Sequence, residues 1–230
     1  MRQAAPDLPR LGTVLGVEQI MTSAGPAYVL VEQPEDGVPS FLVVLTHGSA
    51  GTPDTADLLA ARDAARARGA VTALVAQPYR VKGARTPGSA ARQDAAWVEL
   101  TAVLRRQTAR DGRLLPLIAG GRSNGGRVAC RTARQTGAAG VIALAFPLHP
   151  PRRPEKSREA ELRDAGVSVL VVNGDRDPFG IPGPDERTTV VVLPGETHAL
   201  SKRPAAVGGA VTAWLTEFPG LGSLGSGSLG

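Results

Sequence analysis

The run Phe41–Thr46, FLVVLT, constrains the fold more than any other stretch of the chain. A strand with one wet face alternates apolar and polar residues, whereas this run is apolar at five successive positions, as a strand buried on both faces requires. Sheets covered on both faces are mostly parallel, because the helices in their crossover connections supply the covering layers.

The rest of the sequence repeats that theme. Strand patterns occur at Ala27–Glu32, Val71–Ala76, Leu114–Ala119, Val141–Phe146, Val167–Val172 and Thr189–Leu193. Helical patterns fall between them. Asp54–Arg68 interleaves alanine and leucine with charges and is closed by Gly69, a helix stop. A long helix begins after Ser89 as N-cap, with Trp97, Leu100, Thr101 and Leu104 along one face. Asn124–Gln135 sets Arg127, Arg131 and Arg134 apart from Val128 and Ala129, which predicts a solvated side. Glu155–Asp164 and Pro204–Thr216 complete the helices, and Gln77–Gly88 reads as a polar loop. Repeated strand-helix-strand units with short connections predict an α/β domain, a mostly parallel central sheet with helices on both faces. At 230 residues the chain suits one such domain over residues 1–219, followed by a Gly/Ser-rich tail at 220–230 that cannot bury a core.

Composition narrows the function. Lys+Arg number 26 against 21 Asp+Glu, a formal charge of +5 that raises nucleic acid as a partner. Twenty-three of those cations are arginines scattered along the chain, and aromatics make up 3%, so neither a basic block nor a stacking platform is present. We therefore expect no nucleic-acid partner. No apolar run is long enough to span a bilayer, and the N-terminus lacks the apolar core of a signal peptide, so no membrane partner and a cytoplasmic location are expected. One cysteine, Cys130, excludes an internal disulfide. His47, His149 and His198 lie at no close ligand spacing, so no metal is expected.

In open parallel sheets, functional groups gather where loops leave the C-terminal ends of strands. The loop after the fourth predicted strand reads Gly121-Arg122-Ser123-Asn124-Gly125, the pattern G-x-S-x-G between a strand and a helix. A turn this sharp crowds the backbone on either side of the serine and presents its hydroxyl at a helix start. A serine nucleophile needs a base, and the base an orienting acid. Two later loops supply candidates, Asp175 or Asp177 in GDRDPFG and His198 in GETH, in the order serine, acid, histidine. An aspartate in such a loop also makes turns, and one of the two is expected to do only that. The loop after FLVVLT, His47-Gly48-Ser49-Ala50-Gly51, offers amides of Ser49 or Ala50 to pair with that of Asn124 as an oxyanion hole. His149, set among prolines, reads as structural, and Cys130 as a small buried residue. Tyr79, Arg80 and Lys82 follow a strand end; Arg80 there is either a carboxylate reader or a solvated loop residue.

The segments THGSAG, QPYRVKG, GGRSNGGRVA, FPLHPP, GDRDPFG and GETHAL, in that order over about residues 41–203, resemble the α/β-hydrolase superfamily. Within it they are most similar to the small dienelactone-hydrolase-like group that includes testis-expressed and KANSL-related hydrolase-like domains. The resemblance implies the α/β-hydrolase fold, with Ser123 as elbow nucleophile, Asp177 as the acid and His198 as the base. Dienelactone hydrolases proper carry cysteine at the elbow, so their substrate does not transfer to a chain with Ser123. About twenty residues separate Phe146 from Val167, which leaves no room for a large lid.

These readings predict a cofactor-free serine hydrolase acting on a small-molecule acyl substrate, an ester above all. The competing reading is a hydrolase-fold interaction module, since fold alone does not fix function. A scaffold has no physical need for a serine, an acid and a histidine in three converging loops.

Overall fold

The computed structural model describes residues 17–218; the tail at 220–230 lies outside them. Eight strands form one sheet: β1 (Val17–Thr22), β2 (Gly25–Glu32), β3 (Phe41–Thr46), β4 (Ala70–Ala76), β5 (Leu117–Arg122), β6 (Ala138–Leu144), β7 (Ser168–Gly174) and β8 (Thr188–Leu193). Their spatial order is β1-β2-β4-β3-β5-β6-β7-β8. β2 runs against the direction of all the others, pairing antiparallel with β1 and β4, and every pair from β4 through β8 is parallel. The helices are α1 (Ala56–Arg66), α2 (Pro78–Val81), α3 (Ala90–Gln107), α4 (Asn124–Thr136), α5 (Glu159–Arg163) and α6 (Pro204–Glu217). This is the α/β-hydrolase fold.

Strand β3 is buried at all six positions, and its side chains alternate between two cores. Leu42 and Val44 pack with Trp97, Leu100 and Val128 on the α3–α4 side. Phe41, Val43 and Leu45 pack with Leu58, Val207 and Val211 on the α1–α6 side. A fully buried aliphatic side chain contributes roughly 1.5–3 kcal/mol, so a polar residue at any of positions 41–45 would be costly, whereas Thr46 at the strand end satisfies its hydroxyl by donating to the Val75 carbonyl.

Several boundaries differ from the sequence expectation for identifiable reasons. Leu114 is exposed, and β5 starts only at Leu117, because Pro116 has no N–H to give the ladder although its carbonyl accepts from the Leu42 amide. The strand then runs on through Gly120 and Gly121, where glycine is required by close packing: a Cβ on Gly120 would lie 2.5 Å from the Ile142 carbonyl oxygen. Strand β6 ends before the predicted Phe146 because Ala145 adopts a φ of +48°. β1 escaped sequence reading because its pattern VEQIMT buries only Ile20. Helix α5 is shorter than predicted, starting at Glu159 after a run of turns. The arginine side of α4 is not simply solvated: Arg127 and Arg131 are half-buried and paired with Glu161 and Asp94, while Arg134 alone is exposed.

The connection from β6 to β7, residues 145–167, contains α5 and no inserted lid domain. The C-terminal ends of β3, β5, β7 and β8 are therefore left open to a common hollow. No helix among the described residues is long and apolar enough to cross a membrane.

Candidate active site

Ser123 sits between β5 and α4 with φ +52° and ψ −112°, a backbone conformation that costs a non-glycine residue about 1–3 kcal/mol. The two flanking glycines make the turn possible. A Cβ on Gly121 would fall 2.5 Å from the Thr46 carbonyl oxygen, and one on Gly125 2.6 Å from the same atom. The steric reason for G-x-S-x-G is thus the backbone of the adjacent strand β3, which passes beneath the turn. Ser123 is the N-cap of α4, so partial positive charge at the helix start lies beside its hydroxyl.

His198, on the loop between β8 and α6, lies with Nε2 2.9 Å from Ser123 Oγ and Nδ1 2.8 Å from Asp177 Oδ2. The Asp177 side chain is fully buried. Its Oδ1 accepts from the Phe179 amide, and its Oδ2 also accepts from the Asn173 side chain. A carboxylate held by three donors keeps its orientation without help from solvent. The other aspartate of that loop does something different. Asp175 Oδ1 accepts from the Gly195 amide, joining the β7 and β8 loops away from His198.

The β3–α1 loop forms the opposite wall. Ser49, Ala50 and Asn124 border the hollow with Ser123 and His198. The Gly48 carbonyl anchors this loop, accepting from His47 Nδ1, the Gly51 amide and the Tyr79 hydroxyl. His47 is fully buried, and its Nε2 accepts from the Gln77 amide. Burial holds its pKa down at about 4, so the ring is neutral with the proton on Nδ1. Tyr79 is likewise kept protonated, its pKa raised by burial.

Arg80 neither reads a carboxylate nor stands free in solvent, the two alternatives the sequence offered. Its Nε donates to the Gly51 carbonyl and its Nη1 to that of Ala84, bracing the β3–α1 loop from outside. Lys82 donates to the Ala24 carbonyl. His149 packs its ring against Gly180, and its Nδ1 lies 2.9 Å from the Pro150 carbonyl oxygen. Cys130 is buried and free, its thiol pushed up to about 12, mainly by burial. Among the described residues no group of three or more His, Cys, Asp or Glu side chains could hold a metal ion.

Sequence reasoning missed four residues here. Phe179 lies across the His198 ring at a centroid separation of 4.2 Å. Asn173, a polar residue closing an apolar strand, could have been noticed for that reason alone. Arg122, the variable position before the serine, donates from Nη2 to the His198 carbonyl and sets Nε 3.1 Å from Asp57 Oδ2. Arg158 borders the hollow from the β6–β7 connection, and nothing in its local sequence distinguishes it.

The comparisons agree with this architecture. A family model described as an alpha/beta hydrolase domain matches residues 39–199. Among solved structures, XC6422 from Xanthomonas campestris, described as an a/b serine hydrolase without lid, is similar at 18% identity and a TM-score of 0.70, over 90% of this chain and 96% of that one. Est1E from Butyrivibrio proteoclasticus is 16% identical with a TM-score of 0.67, over 88% and 98% of the two chains. A dienelactone hydrolase from Anabaena variabilis is 15% identical with a TM-score of 0.67, over 88% and 96%. No curated protein sequence matches the chain. With more than half its length matched by the family model, and the strand order and elbow described above, the chain belongs to the α/β-hydrolase family.

Proposed function

We propose that this α/β hydrolase is a serine esterase that turns over small ester-type substrates through a covalent acyl-enzyme, with Ser123, His198 and Asp177 as its catalytic residues. The observation that carries the reading is the unbroken path from Asp177 Oδ2 to His198 Nδ1, 2.8 Å, and from His198 Nε2 to Ser123 Oγ, 2.9 Å.

In this reading Asp177 holds the imidazole with its proton on Nδ1, which leaves Nε2 to accept the Ser123 proton as Oγ attacks the ester carbonyl carbon. The carbonyl π pair moves to oxygen, and the amides of Ser49 and Asn124 donate to that oxyanion. Removing one such donor typically costs about 10²–10³ in kcat. Collapse expels the alcohol, which takes the proton from His198, and leaves the acyl group on Oγ. Water then attacks, His198 again taking and returning the proton, and the acid product leaves. No cofactor or metal enters any step.

The test is intact-mass analysis after treatment with a fluorophosphonate, which Ser123 Oγ would attack at phosphorus with loss of fluoride. The expected result is one adduct on the wild type and none on Ser123→Ala or His198→Ala, followed by turnover of short-chain 4-nitrophenyl esters. Folded wild-type protein that takes no adduct would overturn the reading and favour an interaction module instead.

A further inference from the structure

Three arginines, Arg122, Arg127 and Arg158, border the same hollow of about 450 Å³ as Ser123 and His198, and no carboxylate borders it among the described residues. Two of the three have an acid within salt-bridge range. Arg122 faces the buried Asp57, and Arg127 makes a two-pronged pair with Glu161, donating at 2.7 and 2.6 Å. Glu161 is shared with Arg131, whose second partner is Asp94, so this cluster of two cations and two anions is balanced. The remaining carboxylate of the site, Asp177, is buried behind His198 with both oxygens occupied.

Arg158 is the exception. Among the described residues its one side-chain hydrogen bond runs from Nη1 to the Pro147 carbonyl, and no acid lies in salt-bridge range. The acids nearest to it in sequence are committed elsewhere, Glu159 to Arg163 and Glu161 to Arg127 and Arg131. Burial and the neighbouring Arg127 charge hold its pKa below the ordinary arginine value, with Glu161 opposing. The half-buried Arg158 guanidinium, bordering the cavity with no acid in reach, calls for an acceptor that arrives with the ligand.

Building on the serine-hydrolase reading, we propose that the substrate carries a carboxylate or an equivalent anionic group, and that Arg158 is the specificity residue that binds it. The planar guanidinium still has donors to offer, and a carboxylate can accept two of them side by side. The two sides of the ester give two places for that anion, and paired substrates separate them. Mono-4-nitrophenyl adipate against 4-nitrophenyl hexanoate places the charge on the acyl side. 4-(Butyryloxy)benzoate against its methyl ester places it on the alcohol side.

The expected result is a preference of at least about tenfold in kcat/KM for the anionic member of one pair, expressed mainly in KM and weakened by added salt. Arg158→Met should bring that ratio near one, and Arg158→Lys should keep part of it, because the charge remains while the paired donors are lost. Both variants should retain the wild-type circular dichroism, since Arg158 is only half-buried. Neutral esters turned over as well as the anionic ones in both pairs, or a preference that survives Arg158→Met, overturns this inference. Fluorophosphonate labelling with no anionic preference does so while leaving the hydrolase reading intact. Absence of both labelling and turnover removes that reading and the inference with it.

Discussion

Arg122 Nη2 donates a 2.7 Å hydrogen bond to the backbone carbonyl of His198, so the residue preceding the elbow serine holds the loop that carries the imidazole. The guanidinium is itself held from behind, with Nε 3.1 Å from Asp57 Oδ2 on α1. Asp57 is fully buried, and burial raises its pKa against the opposing pull of the Thr55 hydroxyl and Arg122. One side chain thus ties the His198 loop to α1 from beside the elbow.

Arg122→Met should therefore slow both ester turnover and fluorophosphonate labelling by about 10–100-fold, the cost of a misplacement near 1 Å. The loss should fall on kcat, since the small neutral probe and ester need no charge from Arg122. Arg122→Lys should not rescue, because an ammonium cannot span His198 and Asp57 as the guanidinium fork does. Equal labelling rates in wild type and Arg122→Met would show that the His198 loop holds its place unaided.

The two aspartates of GDRDPFG should separate cleanly. Asp177→Asn keeps the shape but favours the wrong imidazole tautomer, a change that costs about 10⁴ in kcat where the serine mechanism operates. Asp175→Asn weakens only the bond to the Gly195 amide and should cost less than tenfold. Steady-state rates on one ester decide it, and the reverse ranking would transfer the acid role to Asp175.

What was legible in the sequence is what is decided locally. The burial of β3 follows from its unbroken apolar run, and the elbow follows from two glycines that a neighbouring strand requires. Asp177 and Asp175 could not be separated by spacing, because the difference lies in what β8 and its loop bring to each. Arg122 and His198 are 76 positions apart, and Arg131 and Asp94 are 37 apart. Such pairs leave no periodic trace, so α4 looked like a helix with a wet arginine face when two of those arginines are ion-paired to neighbouring elements. β1 was invisible for the opposite reason: an edge strand with one buried side chain has almost no hydrophobic pattern to read.

Two helical glycines should respond in opposite directions to the same substitution. Gly125→Ala puts a methyl 2.6 Å from the Thr46 carbonyl oxygen, a backbone atom of a fully buried strand that cannot retreat. It should destabilise by about 3 kcal/mol, at the upper end of overpacking costs. Gly209→Ala, in the interior of α6 and exposed, meets nothing within 4 Å and should stabilise by about 1 kcal/mol through helix propensity alone. Urea midpoints measure both. A stabilising Gly125→Ala would mean that the elbow does not lie as close to β3 as described.

The buried His47 ties stability to pH in a window set by its two protonation equilibria. In the folded chain it stays neutral down to about pH 4, against an ordinary value of 6.5. Between those values the unfolded chain holds the extra proton, so stability falls as pH drops from 6.5 towards 4, by about 3 kcal/mol from this residue. Charging it also strips the Gln77 amide of its acceptor, Nε2, and so loosens the loop that presents Ser49. His47→Asn, which cannot take up a proton, should be less stable than wild type at pH 7 yet lose less stability across that window. Urea unfolding of both proteins at pH 7, 5.5 and 4.5 makes the comparison, and parallel losses would place the pH sensitivity in groups other than His47.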